Sequence, residues 1–104
     1  MPRYQPTPED LQALYLSTDM CLDELAEAFD ITEAEVERAI CGVDTPPPWL
    51  PTFQAKTCVL CWLLEKTNSL INEARPSNLV DSKELHSRYR EITDELRNLD
   101  VRKD

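Results

Sequence analysis

The stretch Leu22-Asp23-Glu24-Leu25-Ala26-Glu27-Ala28-Phe29-Asp30-Ile31-Thr32-Glu33-Ala34-Glu35-Val36-Glu37-Arg38-Ala39-Ile40 decides the fold. Leu22, Leu25, Ala26 and Phe29 recur at helical spacing and fall on one face, which predicts a short amphipathic helix. Asp30 marks the turn, because aspartate enters the left-handed region at modest cost. Thr32 then caps a second helix, and Glu35, three residues on, completes a capping box by reaching back to the Thr32 amide. Val36, Ala39 and Ile40 form its inner face, and Gly42 is placed to end it as a left-handed cap.

Toward the N-terminus, Thr7 as cap, Pro8 in the first helical position and Glu9-Asp10 in the first turn open an earlier helix. Its expected buried stripe is Leu11, Leu14 and Tyr15, and Ser17-Thr18-Asp19 break the pattern. Toward the C-terminus, Thr45-Pro46-Pro47-Pro48-Trp49-Leu50-Pro51 cannot be helical, since consecutive prolines lack amide donors and favour polyproline II. A fourth helix is expected from after Thr52 to about Ala74, stopped by Pro76. Asp81 with Glu84 reads as the next capping pair, opening a fifth helix from Ser82 to about Leu99. In it Leu85, Tyr89, Ile92, Leu96 and Leu99 recur at spacings of four and three, the pattern of an a/d seam. The expectation is an all-α chain: a three-helix unit over 1–44, a proline-rich spacer over 45–52 and an antiparallel helical hairpin over 53–104.

Composition limits what such a chain does. With 104 residues there is room for one small domain. With one glycine there is no Gly-rich phosphate loop. Lys and Arg number 11 against 20 Asp and Glu, a net charge of −9. The first fifty residues hold eleven acids and two bases, and the remainder is balanced, so the whole deficit sits in the first half. That field repels nucleic acids and anionic membranes and attracts basic partners. The longest apolar run, Cys58 to Leu64, falls far short of the ~18 residues a bilayer span needs, and Met1 to Asp10 has no apolar stretch suited to a signal peptide. The expectation is a soluble, cytoplasmic protein with reduced thiols.

The residues that could carry chemistry are few. Cys58 and Cys61 form a CxxC that, with Cys21 and Cys41, could supply four thiolates to zinc. The pair lies within a helical apolar run, however, so core packing is the expected role and no metal or other cofactor is assigned. His86 lies four residues after Ser82 and near Asp81, without the oxyanion donors or pocket that nucleophilic catalysis requires, so no enzymatic activity is expected. Pro48-Trp49-Leu50-Pro51 has PxxP spacing but no adjacent cation to orient it in a PxxP-binding groove. Trp49 either tucks onto one of the flanking halves or, if exposed, anchors a partner. The fourth helix is apolar all round near Trp62 and needs cover on more than one side. A multimer built on Trp62, Leu85, Tyr89, Ile92, Leu96 and Leu99 would provide it, and a compact five-helix monomer is the alternative.

Leu22 to Ile40 resembles the helix-turn-helix of bacterial and phage DNA-binding proteins, with Ala26 as the small residue at the helix crossing. Joined to a proline spacer and a helical assembly segment, the plan is similar to the small terminase subunits of tailed bacteriophages. That resemblance implies a non-enzymatic, ring-forming factor that recognises viral DNA and regulates the large terminase motor. The helix that would read the groove carries Glu33, Glu35 and Glu37 with Arg38 as its base, a sign that disfavours direct DNA contact. The other reading is an acidic adaptor or inhibitor that binds the basic surface of a nucleic-acid enzyme or transcription factor. Under either reading the working face is Asp23, Glu24, Glu27, Thr32, Glu33, Glu37 and Arg38.

Overall fold

A computed structural model describes residues 4–41, 49–73 and 79–102. The fold is all-α, with helices α1 (Pro8–Ser17), α2 (Leu22–Phe29), α3 (Glu33–Ile40), α4 (Phe53–Glu73) and α5 (Leu79–Asn98). Thr7 caps α1: its hydroxyl accepts from the Asp10 amide at 3.1 Å, and the Asp10 carboxylate accepts from the Thr7 amide at 3.2 Å. Thr32 and Glu35 form the same reciprocal pair at the start of α3. Each pair satisfies two amides that have no partner within the helix. Gly42 and Thr45 to Pro48 lie outside the described residues, as does Pro76.

The turn between α2 and α3 is a Schellman motif built on aspartate. Asp30 has φ 56° and ψ 46°, its amide bonds the Glu27 carbonyl, and the Ile31 amide bonds the Ala26 carbonyl at 2.9 Å. Closing both orphan carbonyls offsets the left-handed cost to a residue other than glycine. α1 lies against α3, tied by Gln12 Nε2 donating to the Ala39 carbonyl at 2.7 Å.

α5 begins at Leu79, three residues earlier than the Asp81 cap predicts. Leu79 and Val80 already take helical geometry, so Asp81 occupies the first turn. α4 and α5 run antiparallel: Lys56 Nζ near the start of α4 donates to the Leu99 carbonyl, and the Trp62 and Tyr89 rings meet in a T-shaped pair, centroids 5.6 Å apart, farther along.

The two halves share one core. Leu11, Leu14, Leu25, Phe29 and Val36 from the first three helices pack with Val59, Trp62 and Leu63 of α4 and Ile92 and Leu96 of α5. The spacer therefore joins two parts of a single packing unit and does not separate independent ones. Each of the larger aliphatic side chains in it contributes on the order of 2 kcal/mol by leaving water. Tyr15, expected in the α1 stripe, is 37% exposed. Leu11, Ala13 and Leu14 fill the interior side of α1 instead, and Tyr15 turns outward beside them.

The chain also closes on itself through a buried carboxylate. Asp10 is 0% exposed, and its oxygens accept from the Tyr4 hydroxyl at 2.8 Å and the Thr52 amide at 2.8 Å. Arg102 bonds the Pro51 carbonyl through its amide and reaches Glu9, Thr7 and Asp10 with its guanidinium. Thr52 and Arg102 form an isolated parallel bridge. Among the described residues no helix is long and apolar enough to cross a membrane.

Candidate functional site

The acidic face is positioned by the two caps and the Asp30 turn. Asp23, Glu27, Thr32, Glu33, Glu37 and Arg38 are exposed, and Glu24 is half-buried. These residues do not act as one surface. Glu24 accepts from the Cys21 amide at 2.8 Å and from Arg88 Nη2 at 3.0 Å, so it is both a helix cap and one side of a bridge from α2 to α5. Glu27 pairs with Lys66 of α4. Thr32 is engaged as the α3 cap, its hydroxyl accepting from the Glu35 amide at 3.2 Å. Arg38 occupies the last turn of α3, where a cation complements the dipole. Asp23, Glu33 and Glu37 remain with no ion-pair partner among the described residues.

Asp23 and Glu33 come together around an open cleft of about 820 Å³, formed by the end of α1, the α1–α2 loop and the first residue of α3. Asp19 joins them on its rim, and Tyr15, Leu16 and Leu22 supply apolar lining. Sequence reading missed Tyr15, Leu16 and Asp19 as site residues. The signal available was the Ser17-Thr18-Asp19 break, which marks where the chain leaves α1 and opens a gap before α2. Thr18 is fixed there by donating its hydroxyl to the Leu14 carbonyl, and the Asp19 amide donates to Glu95 at 3.0 Å.

Arg88 lies behind this region, half-buried, bridging Asp19 at 2.9 Å and Glu24. Burial works against its charge, but Glu24 and Asp19 outweigh that and hold its pKa above the ordinary value. The Cys21 thiol is pushed up, first by desolvation and then by the Glu24 carboxylate, so it lacks the thiolate character of a reactive cysteine. Burial, followed by the Glu24 charge, also raises Tyr89.

The other predicted site residues fall elsewhere. Trp49 is half-buried, and its Nε1 donates to the Glu9 carbonyl at 3.1 Å, which ties this residue to α1. Trp62, Ile92 and Leu96 are buried in the core of their own chain, and Tyr89 packs against it. Trp62, Ile92 and Leu96 are therefore not a free seam for a second copy, since the packing of α4, α5 and the first three helices already buries them. Leu99 is half-buried, and Leu85 is 45% exposed. Cys58 Sγ donates to the Ala28 carbonyl at 3.3 Å, joining α4 to α2, whereas Cys21, Cys41 and Cys61 are exposed. Among the described residues no three His, Cys, Asp or Glu side chains converge as metal ligands would. His86 is half-buried, and the side chains of Asp81 and Ser82 lie outside the described residues. No family model, curated protein or solved structure matches the chain.

Proposed function

We propose that this chain is a non-catalytic adaptor or inhibitor whose acidic α2–α3 face engages the basic surface of a nucleic-acid enzyme or transcription factor. The observation that carries the reading is the separation of roles among the acids. Glu24 and Glu27 hold α2 to α5 and α4, while Asp23, Glu33 and Glu37 stand exposed with no ion pair among the described residues. Carboxylates held on rigid helices attract a cationic surface and repel phosphate. Glu33 and Glu37 are also four apart on one helix, where like charges destabilise by a few tenths of a kcal/mol, a cost that a cationic partner removes.

The test is the double substitution Glu33→Lys with Glu37→Lys, assayed by fluorescence anisotropy against labelled oligolysine and against a labelled DNA duplex. The wild type is expected to bind oligolysine with an affinity that falls as salt rises, and to show no duplex affinity at any salt. The variant is expected to lose oligolysine binding and gain non-specific duplex binding. Unchanged behaviour toward both probes would show that this face is idle.

A second reading is favoured by one specific observation, the Schellman turn that joins α2 to α3 with Ala26 and Val36 buried beside it. On that reading the chain is a small-terminase-like factor that recognises DNA, assembles as an oligomer and regulates a large terminase-like motor, with α3 presented to the groove. Phosphate contacts would then have to come from bases such as Lys83, Arg90 and Arg97 on α5. Wild-type duplex binding with a salt slope of several phosphates, together with a solution mass above one chain, would favour it over the adaptor.

A further inference from the structure

We infer that the cleft between the end of α1, the α1–α2 loop and the start of α3 is a docking groove for a basic amphipathic segment of a partner protein, one that presents an Arg or Lys next to an apolar side chain. This rests on the adaptor reading and narrows it from a charged face to a shaped site. The argument is complementarity of two kinds in one place.

The rim carries Asp19, Asp23 and Glu33, contributed by the α1–α2 loop and the first turns of two different helices. Asp19 and Glu24 together hold the single cation Arg88, while Asp23 and Glu33 have no ion pair among the described residues, so the net charge at the groove is negative. A phosphate backbone or an anionic lipid surface is repelled there. The lining adds what a purely ionic site lacks. Tyr15 is 37% exposed and offers a phenol face on which a guanidinium or ammonium can sit, and Leu16 and Leu22 give an apolar side chain something to cover. The cleft is open along its length and has a volume of about 820 Å³, room for side chains of a segment laid across it. A small polycation would satisfy the rim and leave the lining wet, whereas an amphipathic segment satisfies both.

The test uses the full chain and two fluorescein-labelled probes: a short peptide with Arg and Leu alternating along one helical face, and an oligolysine of equal charge. The wild type is expected to bind the amphipathic peptide at least about tenfold more tightly than oligolysine. Tyr15→Ser should remove most of that difference by weakening the amphipathic peptide alone, Glu33→Gln should weaken both probes, and Glu65→Gln, exposed on α4 away from the cleft and the acidic face, should change neither. Amide chemical shifts of the wild type on titration with the amphipathic peptide should move at Tyr15, Leu16 and Leu22, a readout that depends on no variant folding. Equal affinity for the two probes, complete displacement of the peptide by spermine at matched charge, or shifts spread over α3 without those three would overturn the groove and leave the adaptor reading standing. Failure of both probes to bind would overturn the two together.

Discussion

Asp10 shows how one residue can do more than its local sequence suggests. In the first turn of α1 it complements the helix dipole and caps the Thr7 amide, which any aspartate at that position could do on the surface. Here it is completely buried, and its oxygens also receive the Tyr4 hydroxyl and the Thr52 amide, with Thr52 Oγ1 at 3.3 Å and Arg102 Nη2 at 3.5 Å. A buried carboxylate is tolerated only when such donors surround it. Removing it leaves a buried Thr52 amide and a Tyr4 hydroxyl without their acceptor, a loss larger than that of one ordinary hydrogen bond. Asp10→Ala is therefore expected to lower unfolding free energy by about 3 kcal/mol in urea titration. Thr7→Ala, which removes only the cap hydroxyl, is expected to cost about 1 kcal/mol. Equal costs would mean that the network around Asp10 contributes no more than a cap.

The elements divide into those a local pattern specifies and those whose partners it does not. Of the heptad positions in α5, Ile92 and Leu96 are buried, Tyr89 and Leu99 half-buried and Leu85 exposed, and spacing carries no information about what covers them. Ile92 and Leu96 face α4 and the three-helix unit, so the cover is intramolecular. Ile92→Asp is accordingly expected to unfold the chain, seen as loss of helical circular dichroism, in place of yielding a folded protomer of lower mass. Leu96→Ala should cost about 2–5 kcal/mol while leaving the solution mass unchanged. A folded Ile92→Asp chain of reduced mass would return the seam to an intersubunit role. The same limit explains the rest of the reading. The caps at Thr7 and Thr32 and the Asp30 turn are encoded within three or four residues and were legible. The Asp10 network joins residues up to 92 apart in sequence. The cleft lining likewise depends on how α1 and α3 close around the Ser17-Thr18-Asp19 break, which no local window contains. Tyr15 fits the α1 stripe by spacing and still turns outward, because Ala13 and Leu14 already occupy the interior side of that turn.

At the scale of the whole molecule the excess of acids is felt inside the fold as well as on its surface. Tyr89 packs against the core beside Trp62, and its pKa is raised by burial first, then by the carboxylate of Glu24, with Glu27 and Asp23 adding to it and Lys66 opposing. A tyrosine whose folded pKa exceeds its unfolded one favours the folded state through its neutral form. That contribution is fully present below the unfolded pKa of about 10 and is lost as pH rises through the folded value. The chain is therefore expected to lose stability above pH ~10, and Tyr89→Phe, which cannot ionise, should lose less over the same window. The two causes respond differently to salt. Ions screen the half-exposed and exposed carboxylates but do not rehydrate the half-buried ring, so added salt should shrink the difference between wild type and Tyr89→Phe without abolishing it. Urea midpoints measured across alkaline pH at low and high salt decide the matter: parallel curves for the two proteins would show that neither burial nor the acidic field of α2 acts on this phenol.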